Sequence, residues 1–135
     1  MSKPIPSVRK YMTTAPQTID ADQTMADAHD MMRQHRLRHL PVLSAKGLVG
    51  VVSDGDLTLA ESFKGVHPER VRVEDVMSRS AYSVMPDTPL DEVVQEMARH
   101  KYGSAVVVDH GHVVGIFTAV DACQAFADML RTRLA

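Results

Sequence analysis

Gly50-Val51-Val52-Ser53-Asp54-Gly55-Asp56 and Gly115-Ile116-Phe117-Thr118-Ala119-Val120-Asp121 are the two stretches that decide how this chain folds. Each is an apolar run opened by glycine, then a hydroxyl residue, then an aspartate three positions later where a helix can begin. They stand 65 residues apart. Working outward at that offset, residues 8–60 slide onto 73–125 without a gap. Val8 meets Val73, Met12 meets Met77, Asp22 meets Asp87, Met32 meets Met97 and His35 meets His100. Val42, Val49, Gly50, Asp56 and Ala60 fall on identical residues as well, which makes ten identities in 53 positions. Conservative pairs such as Ile19 with Val84, Val51 with Ile116 and Ser53 with Thr118 extend the agreement. An internal repeat governs every later inference about architecture. The chain divides into a first repeat over residues 8–62, a linker over 63–72, and a second repeat over 73–135 that ends in an extended helix.

Each repeat reads β-α-β-β-α. Residues 8–12 and 73–77 suit a short helical turn, and Thr18–Asp20 and Tyr82–Met85 are short β-compatible runs. Asp22 and Asp87 are expected to cap the helices that follow, because a carboxylate accepts from the free N–H groups of a first turn. Met25, Ala28, Met32 and His35 mark one face of the first of these helices. Leu90, Val93, Met97 and His100 mark the other, with Pro89 in its first turn. Two hairpins follow, His39–Leu43 with Leu48–Val52 across Ala45-Lys46-Gly47, and Ala105–Asp109 with Val113–Phe117 across His110-Gly111. Val49–Val52 and Val113–Phe117 are apolar almost without alternation, which predicts burial on both faces. Closing helices begin near Asp54 and Ala119, and Val120, Cys123, Ala127, Leu130 and Leu134 form a stripe on the second. A repeat this short makes a weak core alone, so the two copies are expected to fold together, sheet to sheet. The fold class is mixed α/β (α+β).

Composition narrows the functions. The 135 residues are 44% hydrophobic and 24% charged, as in a globular protein rather than a disordered one. A formal net charge of −2 gives a nucleic-acid partner little electrostatic support. One cysteine, Cys123, permits neither an internal disulfide nor a CxxC metal knuckle. No apolar run is long enough to span a membrane, and Met1 to Ser7 lacks the apolar core of a secretion signal. The expected setting is reducing and cytoplasmic. The length leaves little room for a catalytic domain beside the two repeats.

The two glycine-led segments admit two readings. In one, Ser53 and Thr118 cap a helix while Asp56 and Asp121 reach back to complete a capping box, although Asp is shorter than the usual Glu or Gln. In the other, a hydroxyl and free N–H groups at a helix start receive a phosphate. The carboxylate one turn along then accepts from the vicinal hydroxyls of a ribose.

The tandem repeat, the element order and the two G-h-h-[ST]-x-x-D segments resemble a pair of CBS (cystathionine-β-synthase) domains, the Bateman module. The openings Val8-Arg9-Lys10-Tyr11-Met12-Thr13 and Val73-Glu74-Asp75-Val76-Met77-Ser78 resemble those of that family, and His39-Leu40-Pro41-Val42-Leu43 resembles its second strand. The likeness runs from Val8 to Ala127. It implies two repeats packed with pseudo-two-fold symmetry and adenosine-containing ligands (AMP, ADP, ATP, NAD or S-adenosylmethionine) bound in clefts between them. Asp56 and Asp121 would hold ribose hydroxyls, and Ser53 and Thr118 would contact phosphate or ribose. The adenine would lie against Thr18, Ile19, Ala21, His39 and Pro41 in the first site. In the second it would lie against Ser83, Val84, Pro86, Ser104 and Val106. Aromatic residues are scarce, so aliphatic walls are expected to hold the base.

The copies differ in charge. Arg33, His35, Arg36, Arg38 and His39 crowd the first, where the second has Ala98, His100, Lys101, Gly103 and Ser104. Arg33 and Arg36 fit a solvated helix end whose cations complement the dipole. Arg38 stands just before the strand bordering the first site and is the candidate phosphate counter-charge. The second site is expected to take a less phosphorylated ligand or to be closed.

Seven histidines show no third ligand at metal spacing, and Glu61 downstream of Asp54-Gly55-Asp56 falls short of the spacing of an EF-hand Ca²⁺ loop. Cys123 and the helical methionines are expected in the core. No nucleophile triad or carboxylate pair stands out. The expected function is regulatory and non-enzymatic. An adenine nucleotide serves as a regulatory ligand, no cofactor is obligatory, the chain forms a homodimer, and the output reaches an effector protein by association. A ligand-free dimerisation module is the alternative, and a histidine-based enzyme or metal protein ranks last.

Overall fold

Alternating runs of β-branched residues and two-turn punctuation produce seven short strands and four helices in a computed structural model that describes residues 4–134. The strands are β1 (Thr13–Thr14), β2 (Ile19–Asp20), β3 (His39–Ser44), β4 (Gly47–Ser53), β5 (Ser83–Val84), β6 (Ser104–Asp109) and β7 (His112–Thr118). The helices are α1 (Met25–His35), α2 (Asp54–Glu61), α3 (Leu90–His100) and α4 (Ala119–Leu134), and 3₁₀ turns form at Val8–Lys10 and Val73–Asp75. The end of the expected second repeat, Ala135, and the side chain of Leu134 lie outside the described residues.

The chain forms two compact units, Gln17–Ala81 and the combination of Met1–Pro16 with Tyr82–Ala135. In the Gln17–Ala81 unit the sheet order is β2-β3-β4. In the other unit it is β1-β7-β6-β5. The 65-residue offset survives into the hydrogen bonding. Ile19 pairs with Val42 and Val84 with Val107, His39 lies opposite Ser53 and Ser104 opposite Thr118. Even the bulge repeats, between Val42 and Leu43 and between Val107 and Val108. The hairpin turns differ. His110 and Gly111 both adopt positive φ, at 50° and 80°, as in a type I′ turn, whereas Ala45 and Lys46 do not and the positive φ falls on the following Gly47, at 98°.

The repeats of the sequence and the compact units of the fold divide the chain differently. Val73, fully buried, packs with Met25, Leu40, Val52 and Leu57 of the Gln17–Ala81 core. Val8, also fully buried, packs with Val93, Ala105, Val107 and Phe117 of the other core. Each opening segment therefore completes the core that holds the strands of the opposite repeat. The glycines make this approach possible. A Cβ on Gly50 would lie 2.4 Å from the Ser78 carbonyl oxygen, and one on Gly115 would lie 2.5 Å from the Met12 sulfur. Val51 exchanges N–H···O bonds of 3.0 and 2.8 Å with Ser78, and Thr13 pairs with Ile116.

Several local expectations need correction. Thr24 caps α1, accepting from the Asp27 N–H at 3.1 Å while Asp27 accepts from the Thr24 N–H at 3.1 Å. Asp22 stands two residues too early for that role. Pro89 occupies the N-cap position of α3 without a side-chain bond, and Asp87 is exposed and paired with Arg9 at 3.1 Å. His35 and His100 do not join the buried faces of their helices; both are exposed. β4 and β7 are not buried throughout, since Val49, Val51, Val113 and Val114 are half-buried. The expected stripe on α4 is not its core face. Ala122 and Ala125 pack against the core, while Val120, Cys123 and Leu130 are exposed. Phe126 and Met129 join that outward face. Met25, Met32 and Met97 are buried, whereas Met85 and Met129 are not. No described helix is long and apolar enough to cross a membrane.

Candidate functional site

In the Gln17–Ala81 unit, strand pairing and a helix start bring five of the singled-out residues to one sheet end. Antiparallel pairing sets His39 opposite Ser53, and the Arg38 carbonyl accepts the Asp54 N–H at 2.9 Å, fixing Arg38 beside the first turn of α2. Ser53 Oγ accepts from the Asp56 N–H at 3.1 Å, and Asp56 Oδ2 accepts from the Ser53 N–H at 2.9 Å. The capping box therefore forms in full, because Asp reaches the N-cap N–H at this short range. That bond uses one carboxylate oxygen and leaves Oδ1 with open lone pairs. Thr24 and Asp27 form the same box at α1, so the box alone does not mark a ligand site.

Burial sorts the remaining positions. Thr18, His39, Ser53 and Asp56 are half-buried and Arg38 is exposed. Ile19 points into the core, and Ala21 and Pro41 are buried. The Ala21 backbone is committed to the Leu43 carbonyl at 2.8 Å and the Glu74 N–H at 3.1 Å. Burial lowers the pKa of the His39 imidazole; the nearby Asp56 charge raises it, Arg38 lowers it and Asp54 raises it. The ring is thereby biased toward its neutral form next to the Asp56 carboxylate.

The second unit repeats the frame with different detail. Ser83 pairs beside Val106 on β6, and Ser104, which is buried, lies opposite Thr118. Asp121 Oδ2 accepts from the Thr118 N–H at 2.9 Å and from the Thr118 hydroxyl at 3.3 Å. Here the hydroxyl donates to the carboxylate rather than accepting from the helix. Ser83 is exposed, Val84, Thr118 and Asp121 are half-buried, and Pro86 and Val106 are buried.

Two groupings escaped the sequence reading. Tyr82 and Tyr102 stack with ring centroids 5.1 Å apart, and His100 stacks on Tyr102 at 5.1 Å. Two of the three tyrosines thus stand where β5 and β6 begin, against an expectation of purely aliphatic surroundings. Burial raises the Tyr82 hydroxyl pKa, with Glu96 and Glu92 adding to the shift. The signal was present at the matched positions, Gln17 and Leu37, which are not aromatic. The other grouping is an open cavity of about 400 Å³ in the Gln17–Ala81 unit, lined by His29, Met32, Arg33, Arg36, Leu37, Arg38 and Asp54. Arg33 and Arg36, read as a solvated helix end, share this lining with Arg38.

Among the described residues no three His, Cys, Asp or Glu side chains gather as metal ligands do. His29 contacts Glu61, His100 contacts Glu96 at 3.1 Å and His110 contacts Asp109 at 2.8 Å. Asp54 and Asp56 belong to the first turn of α2 rather than to a chelating loop.

The CBS domain family matches residues 8–62 and 73–128. The CBS domain-containing protein YhcV of Bacillus subtilis is 32% identical over 115 residues, covering 85% of this chain and 81% of YhcV. Of three further curated relatives the chain spans only 24%, 24% and 23% of the length. The structure of the CBS domain pair of protein MJ0100 in complex with 5′-methylthioadenosine and S-adenosyl-L-methionine superposes with a TM-score of 0.85 at 26% identity, covering 93% of this chain and 99% of that one. CBSX2 in complex with AMP superposes with a TM-score of 0.80 at 25% identity, covering 91% and 97%. With the family matched over both repeats and the superposition covering nearly the whole chain, the chain belongs to the CBS domain family and carries two CBS domains in tandem.

Proposed function

We propose that the chain is a regulatory module that binds adenosine-containing ligands, one site resting on Asp56 and one on Asp121, and that it performs no catalysis of its own. The observation that carries this reading is the state of the two aspartates. Each is oriented by a backbone N–H bond to Oδ2 of 2.9 Å, is half-buried, and keeps a second oxygen to accept ribose hydroxyls. Ligands reported in the structures of MJ0100 and CBSX2 support the chemical class. Thr18, Ala21, His39 and Pro41 border the base in the first site, Ile19 through its backbone alone because its side chain lies in the core, with Ser53 on ribose or phosphate. Ser83, Val84, Pro86, Ser104 and Val106 do so in the second, with Thr118 on ribose or phosphate.

Regulation follows if the ligand binds one arrangement of the protein more tightly than another, and the size of the response is bounded by that difference. The output passes by association, including a homodimer formed through exposed apolar helix faces. Leu59 of α2 and the following Phe63 are 64% and 62% exposed, and Val120 and Phe126 of α4 are 77% and 57% exposed. A cytoplasmic setting accords with the exposed free thiol of Cys123.

Calorimetric titration with AMP, ATP and S-adenosylmethionine tests the reading. Heat of binding is expected for the unaltered chain, with one site lost in Asp56→Ala and the other in Asp121→Ala. Absence of heat with every ligand, or unchanged binding in both variants, refutes it. Sedimentation tests the dimer, which Phe126→Lys is expected to dissociate.

A further inference from the structure

The arginine-lined cavity of the Gln17–Ala81 unit has no electrostatic counterpart at the matched positions of the second repeat. Its charged lining is Arg33, Arg36 and Arg38 against one carboxylate, Asp54, with His29, which contacts Glu61, beside them. Sixty-five residues on, those places hold Ala98, Lys101, Gly103, Ala119 and Val94. Both helix ends carry cations that complement a helix dipole, so the dipole does not explain the contrast. The ends differ in how their cations are neutralised. On α3, Glu96 holds Arg99 at 3.4 Å and His100 at 3.1 Å. The position matching Glu96 on α1 is Met31. Arg33 has only a loose contact of 3.7 Å with Asp30, both side chains largely exposed, and such pairs hold little energy. Among the described residues Arg36 and Arg38 make no ion pair with a carboxylate.

The cavity also has the right neighbour. Asp54 lines it and donates its N–H to the Arg38 carbonyl at 2.9 Å, one residue beyond Ser53 and two before Asp56. Neither Ser53 nor Asp56 lines the cavity, so a phosphate chain leaving a ribose held by Asp56 would have to extend past the first turn of α2 to reach the guanidinium groups, which grip phosphate oxygens through paired N–H donors.

We propose that Arg33 and Arg36, together with Arg38, make the Gln17–Ala81 unit a pocket for the di- or triphosphate of a nucleoside polyphosphate, and that the second repeat lacks this preference. The inference rests on the nucleotide-binding reading above. It adds Arg33 and Arg36, first read as a solvated helix end, to Arg38 as the residues that select a polyphosphate.

The test uses the full chain carrying Asp121→Ala, so that only the first site is read, titrated with ATP and AMP. ATP is expected to bind more tightly than AMP, and higher salt to erode the difference as exposed charges are screened. Adding Arg33→Gln and Arg36→Gln, both at exposed positions, is expected to weaken ATP by about tenfold or more, the scale of a lost charge-assisted contact, and to leave AMP nearly unchanged. Thermal unfolding of the same variants monitors integrity. Equal loss of ATP and AMP, or an unaltered ATP preference, overturns the polyphosphate pocket while leaving the adenosine sites standing. Failure of both ligands to bind any form of the chain overturns both.

Discussion

The Gln17–Ala81 unit and the unit built from Tyr82 onward share a strand register down to the position of one bulge, yet they fill and charge that frame differently. β4 sends Val52 into its core and β7 sends the larger Phe117 into the other, both fully buried. Beside the first sheet end stand three arginines, and beside the second stand two stacked tyrosines. Backbone pairing is set by the period-two pattern and the hairpin turns, so it tolerates these exchanges. Site chemistry is carried by side chains that the register merely presents. One frame therefore holds two different surfaces.

Core substitution should expose the first difference most strongly. Phe117→Ala removes the largest fully buried side chain and is expected to cost about 3–5 kcal/mol, whereas Val52→Ala should cost about 2 kcal/mol. Chemical denaturation measures both, and equal costs would break the claim that the two cores depend on different anchors. The glycines give a smaller and sharper contrast. At Gly50 a methyl group meets the backbone oxygen of Ser78, which cannot swing aside, while at Gly115 the nearest atom is the flexible Met12 sulfur. Gly50→Ala is expected to destabilise by about 2–3 kcal/mol and Gly115→Ala by about 1 kcal/mol or less. A larger loss at Gly115 would mean that Met12 is held more rigidly than its length suggests.

The smallest predicted effect concerns pH. His39 is held below its ordinary value of 6.5, chiefly by burial, so the unfolded chain binds more protons there than the folded one as pH falls. The stability tied to neutral His39 is present above about pH 6.5 and is lost as pH drops through the lower folded value. His39→Gln should flatten the decline in thermal stability on the acid side relative to the unaltered chain. The matched residue is Ser104, which does not titrate, so Ser104→Ala should leave the slope as it is.

Much of this comparison was legible in the residues themselves. The 65-residue offset located the strands, the hairpins and the two hydroxyl–aspartate pairs, because turn residues and β-branched runs report local geometry directly. Caps were misread where the choice lay between neighbours. Thr24 rather than Asp22 sits one residue before the helix, and only an actual helix start decides which oxygen reaches its free N–H groups. The exchange of Val8 and Val73 between cores was invisible because an apolar residue at a repeat's start does not say which sheet it will meet. Periodicity likewise found an apolar stripe on α4 without showing that Ala122 and Ala125, rather than Val120, Cys123 and Leu130, face the core. Arg33 and Arg36 could be placed at a helix end from sequence, but their sharing of a cavity with Arg38 depends on how the chain turns into β3.

The central claim is that each aspartate of the repeated segments grips one adenosine, and a crystal structure of the full chain grown with AMP tests it most directly. The account predicts ribose hydroxyls within hydrogen-bond distance, ~2.7 Å, of Asp56 or Asp121, with the base lying along β2–β3 or β5–β6. AMP bound elsewhere with both carboxylates unengaged, or both sites empty at saturating ligand, would contradict it.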